Sequence, residues 1–142
     1  MLAGLIALIV AALFAGAALY INIAEHPARM GLPLAYALQQ WRPSYARGFA
    51  MQAALAIVGG VAAGLQWYLS GTLLWLVGGA LLLANWPFTM LVIMPVNHQL
   101  HAAEVESSGR AAALLRQWGR LHAVRTVLGF LSVGVLLLAA LG

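Results

Sequence analysis

Apolar residues fall into four long runs along this chain, separated by short polar stretches. The runs cover about Leu2 to Glu25, Gly48 to Leu69, Thr72 to Pro95 and Arg120 to Leu141. At about 1.5 Å of rise per residue, each is long enough to cross roughly 30 Å of hydrocarbon as a helix. Lipid offers no water to a bare backbone, so isolated runs of this kind satisfy their N–H and C=O groups by coiling. The pattern predicts an all-α transmembrane four-helix bundle, antiparallel, with short interfacial helices on one side. Residues 1–142 form a single domain.

Local signals refine the boundaries. Pro27 biases His26 away from helical geometry and predicts that the first span ends at Glu25 or His26. A short interfacial helix is predicted from about Pro33 to Trp41, opened by Pro33 and stopped by Pro43. Trp67 and Tyr68 suit the far headgroup layer, and Ser70-Gly71 suits a tight turn. Pro87 predicts a kink in the third span, with a carbonyl freed near Leu83. Ser107-Ser108-Gly109 divides the second polar stretch, its first half prolonging the third helix and its second approaching the fourth. Ala15-Gly16-Ala17 resembles a signal-peptide cleavage site, but nothing basic precedes it, and the first run reads as a retained helix.

Composition supports the bilayer assignment. The chain is 64% apolar and 7% charged, with a mean hydropathy of +0.95, against about 45–50% and about 25% in soluble domains. A net charge of +4 reflects few acids rather than a basic surface, which argues against nucleic acid as a partner. Cysteine is absent, and with it disulfides and thiolate chemistry. The basic residues are all arginine, a side chain suited to bidentate pairing at partly buried sites, although codon bias explains that choice equally well.

Where the charge lies is more informative than how much there is. Every arginine, acid and histidine falls within Glu25–Arg47 or Asn97–Arg125. With four spans, both segments lie at one end of the bundle and both termini at the other. The excess of arginine predicts that the polar end faces the cytoplasm of a bacterial-type inner membrane, with both termini outside. Ionisable groups at membrane depth also mark working sites by default.

Helix arithmetic says which of these side chains meet. Asn22 shares a face with Glu25 and His26, Asn85 with Thr89, and His122 with Trp118, Arg125 and Thr126. In an antiparallel bundle these faces lie at one depth and converge on a cavity, with Arg47 and Gln52 supplied from the second span. His122, with Arg125 one turn deeper, suits a general base. Glu25 is expected to pair with Arg125 or Arg47. Trp41, Trp118 and Tyr45 read either as interface anchors or as aromatic platforms for a substrate. Asn22, Asn85 and Thr89 read either as interhelical glue or as pocket lining. His26, His98, His122 and Glu25 form an alternative metal-ligand set, but adjacent helical residues point about 100° apart, and the expectation is that no metal is bound. Gly59-Gly60 with Gly64, and Gly78-Gly79, offer close-packing surfaces either within the bundle or in a homodimer.

Five segments together resemble the anthrone oxygenase-like family of small four-span membrane proteins. They are Asn22 to Pro27, Trp41 to Tyr45, Asn85 to Thr89, Met94 to His98 and Trp118 to Arg125. The resemblance implies the four-span fold and site residues at Asn22, Glu25, His26, Asn97, Arg120, His122 and Arg125. It also implies oxidation of polyketide anthrones to anthraquinones by molecular oxygen without a cofactor. A matching mechanism has His122, or His26 oriented by Glu25, remove an acidic C–H proton while Arg125, with Asn97 or Asn22, stabilises the enolate. The expected roles are therefore catalytic for His122, His26, Glu25 and Arg125, and substrate-binding for Asn22, Asn85, Asn97, Arg120, Trp41 and Tyr45. The substrate would be a lipophilic, anthrone- or quinone-like molecule reaching the site from the bilayer. Two other readings stand beside it: a non-catalytic transport subunit or assembly partner, and a metal-dependent membrane oxidoreductase.

Overall fold

A computed structural model describes residues 1–103 and 108–142. Four helices in it are long and apolar enough to cross a membrane: α1 (Leu2–Met30), α2 (Leu34–Ser70), α3 (Leu73–Ala102) and α4 (Gly109–Leu141). This is an integral, multi-pass membrane protein. The helices run antiparallel in chain order around a ring, α1 on α2, α2 on α3, α3 on α4 and α4 back on α1. The described residues contain no strand. Residues 104–107, and with them Glu104, Glu106 and the first residue of the expected Ser107-Ser108-Gly109 break, lie outside those described.

Small residues hold the ring together. Between α1 and its neighbours the buried stripe is Gly4, Ala7, Ala11, Phe14, Ala15 and Ala18, spaced so that one face recurs every three or four residues. Leucine, isoleucine and valine point outward, as at Ile9, Leu13, Val61, Leu65, Leu131 and Leu138. This arrangement inverts that of a soluble bundle because lipid tails are as apolar as leucine, and what draws the helices together is close backbone approach. Gly59 and Gly60 receive Leu82 and Leu83, Gly78 receives Leu136, and Gly79 meets Ala63. These four glycines are therefore used inside the bundle, whereas Gly64 faces open space. Ser132 donates to the Gly78 carbonyl at 2.8 Å, and Gln66 accepts from the otherwise orphaned Gly4 N–H at 3.1 Å.

Two boundary expectations are corrected. Pro43 does not stop a separate interfacial helix but lies inside α2, which runs unbroken for 37 residues, about 55 Å at the usual rise. Its first three turns precede the apolar run that begins at Gly48. They persist because Leu38 and Trp41 are buried against Val96, Leu100, Leu115 and Trp118, a gain that outweighs one lost backbone bond. Pro27 likewise does not end α1. The helix widens into a π-turn over Ile21–Glu25, where the His26 N–H reaches the Ile21 carbonyl, and then continues through His26–Met30. The same device recurs in α3, where a π-turn over Thr89–Ile93 precedes Pro95. A wider turn relieves the clash a proline ring makes with the preceding turn. The break associated with Pro87 falls at Ala84, where the Asn85 side-chain amide donates to the Leu82 carbonyl at 3.0 Å.

A polar layer is thus enclosed between two apolar ones. The membrane core lies on one side, built around Phe14, Trp75, Leu82 and Leu136, and the Trp41–Leu100–Leu115 cluster caps the other.

Candidate functional site

Both π-turns open into this layer. The first carries Asn22 and Glu25, and the second carries Thr89 and Ile93. Widened turns swing side chains off the regular helical face, which is one reason they gather at functional sites.

Asn22 organises the α1–α4 interface. Its Nδ2 donates to the Gly119 carbonyl at 3.1 Å, which fixes the orientation of the amide. Its Oδ1 therefore accepts, from Thr126 Oγ1 at 2.6 Å and from His122 Nδ1 at 3.0 Å. This assignment places the imidazole proton on Nδ1 and leaves Nε2 with a free lone pair, the tautomer a general base needs. His122 is only 2% exposed and stacks on Trp118, with ring centroids 5.1 Å apart.

Glu25 is held in a separate knot. Arg29, Gln40 and Ser44 all donate to its Oε1, and Arg29 also reaches Gln40 Oε1. The ion pair expected with Arg125 or Arg47 is instead made with Arg29, one turn further along the same helix. The orienting partner of His122 is correspondingly Asn22 and not Glu25. The cause is the uninterrupted helix after Pro27, which carries Arg29 into the interior, where it is 2% exposed and lies over the Trp118 ring.

Arg125 has no such partner among the described residues. It is 6% exposed, its Nε meets no acceptor, and its guanidinium lies over the Phe14 ring at 5.6 Å. With Glu25, Tyr45, Gln52, Ile93, Trp118 and His122 it lines a small cavity where the four helices meet, the outer chamber. The free space at its centre is sized for one or two waters. Beyond it lies an inner chamber lined by Phe14, Gln52, Asn85, Trp86, Thr89 and Arg125. Gln52 and Arg125 face both. A groove between α1 and α2 shares Ile21, Glu25, Ser44 and Gly48 with the outer chamber and extends to Ala17, Tyr20 and Met51 on the lipid-facing side.

The remaining candidates divide. Trp41 is fully buried, stacked on Tyr45 at 5.1 Å and set edge-on to Trp118, so it is no interface anchor. Tyr45 reaches the outer chamber and Asn85 the inner one. Asn97 is buried beside the site, with a weak contact from Nδ2 to Met94 Sδ at 3.9 Å and no partner for Oδ1. His26 packs against Gly119 and, with the exposed Arg120 and Arg116, lines an outer groove rather than the chamber. The alternative metal set of His26, His98, His122 and Glu25 is not assembled: His98 is exposed, and no three such groups converge among the described residues.

Sequence reasoning did not select Arg29 or Ser44 as site residues, and it brought Gln52 to the cavity only through its place at the polar end of the second span. The signal for Arg29 is its position four residues after Glu25, legible once the helix is allowed to pass Pro27. Ser44 is a small hydroxyl in an interfacial-looking stretch and carries no signal of its own. Gln52, on an otherwise apolar span, stands out only by polarity.

Fold and site together define a class: an integral four-helix membrane protein with a polar chamber within the bundle. A family model described as anthrone oxygenase matches residues 41–135, well over half of the chain, and the protein belongs to that family. The match takes in most of α2, all of α3 and most of α4. No curated protein and no solved structure matches the chain.

Proposed function

We propose that the protein is a cofactor-independent membrane oxygenase acting on a lipophilic aromatic substrate with an acidic methylene, of the anthrone kind. The observation that carries this reading is His122, a buried histidine oriented through Nδ1 by Asn22, in one chamber with the uncompensated Arg125. The substrate slides from the bilayer along the α1–α2 groove, and the side chains around Gly48 and Ile21 part to admit it. His122 Nε2 removes a proton from the methylene, and the developing enolate oxygen is stabilised by Arg125. Preorganised donors of this kind in a dry site contribute about 3 kcal/mol each to a transition state. The enolate passes an electron to molecular oxygen, and recombination gives a hydroperoxide. Loss of water then leaves the ketone, so that CH₂ and O₂ become C=O and H₂O, with the proton borrowed by His122 returned in the water.

Glu25, Arg29, Gln40 and Ser44 shape the mouth of the chamber, and Tyr45 and Trp118 form its aromatic wall, backed by Trp41. The excess of arginine at the polar end supports a cytoplasmic position for it, with both termini outside. Purified protein in lipid nanodiscs, supplied with anthrone and oxygen, tests the reading. Oxygen uptake should match quinone formation one for one, and His122→Ala should lower the rate by about 100-fold or more. Equal rates for the wild type and His122→Ala would remove the basis of the proposal.

A further inference from the structure

We propose that the inner chamber is a receptor for one monovalent anionic centre, held by Arg125, Gln52 and Thr89. The chemistry is shared by a free halide and by the ionised oxygen of an apolar aromatic ligand.

The argument begins with charge. Arg125 lies in the bundle interior, and Glu25, the one acid among the described residues, is already engaged by Arg29, Gln40 and Ser44. A guanidinium at membrane depth with only a phenyl ring beneath it is costly, and the cost is relieved when an anion accompanies it. The neighbouring polar groups are idle in the same sense. Gln52 is 1% exposed with neither amide atom bonded, and Thr89 is 2% exposed with its hydroxyl unpartnered. Buried amides and hydroxyls normally find partners, and here two helices bring unpaired ones to the same small space as a third helix's arginine.

The donor set selects the ligand. Arg125, Gln52 Nε2 and Thr89 Oγ1 together offer several N–H and O–H groups and one positive charge. A cation is repelled, a neutral hydroxyl leaves the charge uncompensated, and a divalent anion brings one charge too many into a pocket walled by Phe14, Phe49 and Trp86. The chamber is also too narrow for a ring system, so an aromatic ligand would present only its anionic oxygen here and keep its ring in the outer chamber, with Arg125 common to both. This deepens the proposed function at Arg125, since an enolate oxygen is one member of the class. It makes no use of turnover.

The test uses full-length protein in phosphatidylcholine nanodiscs, with unfolding followed by circular dichroism at constant ionic strength. Bromide and benzoate are each titrated against gluconate. A saturable rise of the midpoint by a few degrees is expected, from bromide if the source is a free halide and from benzoate if it is an aromatic acid. Arg125→Gln should abolish the rise. Gln52→Leu, which removes an orphaned amide and is expected to fold at least as well as the wild type, should weaken the apparent affinity about tenfold, and so should Thr89→Val. No saturable shift with either anion, or shifts that Gln52→Leu leaves unchanged, would overturn the proposal. Because binding is read without oxygen or substrate, a protein that takes anions but oxidises no anthrone loses only the enzymatic reading. One that oxidises anthrone but takes no anion loses only this one.

Discussion

Asn22 and Arg29 are the residues whose roles are most sharply defined by their partners. Asn22 joins α1 to α4 through three hydrogen bonds and sets the tautomer of His122. Asn22→Leu keeps the branched shape but removes the acceptor that holds the imidazole, and it should lower kcat for the proposed anthrone oxidation by about 10- to 100-fold with a smaller change in KM, measured in nanodiscs. Asn22→Asp should retain more activity than Asn22→Leu, because a carboxylate still accepts from Nδ1. Arg29 neutralises Glu25, whose side chain is 20% exposed against 1% for its partner. Arg29→Gln leaves that carboxylate poorly compensated and should cost about 2–3 kcal/mol of stability after allowance for partial solvation of Glu25. Adding Glu25→Gln should restore part of the loss, and a double-mutant cycle on thermal midpoints checks the coupling.

Prolines and glycines control the helices themselves. Four of the five prolines lie within long helices without ending them, at positions 27, 43, 87 and 95, and Pro27 and Pro95 follow closely on a π-turn. Pro43 has no such relief, so Pro43→Ala should return a backbone hydrogen bond and raise the unfolding midpoint, whereas a helix stop at that point would give no gain. Gly119 lets α4 approach the His26 ring so closely that any Cβ would strike it. Gly119→Ala should therefore push α1 and α4 apart at the depth of Asn22, costing about 1–3 kcal/mol through overpacking and lowering activity along with stability.

For the molecule as a whole, the questions are which way it sits and how the proposed substrate would reach the chamber. The groove between α1 and α2 shares its lining with the outer chamber and extends to the lipid-facing side, and Gly48 stands where the two meet, about 4.0 Å from Ile21 Cδ1 for an added Cβ. Gly48→Leu should fill this gap and raise KM for a lipid-dissolved anthrone several-fold, while the chemical step measured at saturation changes little. Orientation is open to clean labelling because the chain has no cysteine. Single cysteines at the exposed Arg116 and Arg120 should react with a membrane-impermeant maleimide only from the cytoplasmic side, and one at Leu2 only from outside.

The four spans, their antiparallel order and the gathering of ionisable groups at one end were legible in the sequence, because hydrocarbon thickness and the cost of buried charge act on composition and run length alone. His122 and Arg125 were legible for the same reason, being ionisable residues on an apolar helix one turn apart. Partnership was not. Whether Pro27 ends a helix or is absorbed by a π-turn depends on what the following turn packs against, and that one outcome sends Arg29 to Glu25 and leaves Arg125 alone. The assignment of Asn22 to His122, the idle amide of Gln52 and the use of Gly78 and Gly79 inside the bundle all depend on distances between helices far apart in the chain. Local sequence specifies which side chains are costly to bury, and only the packed bundle decides which of them are compensated.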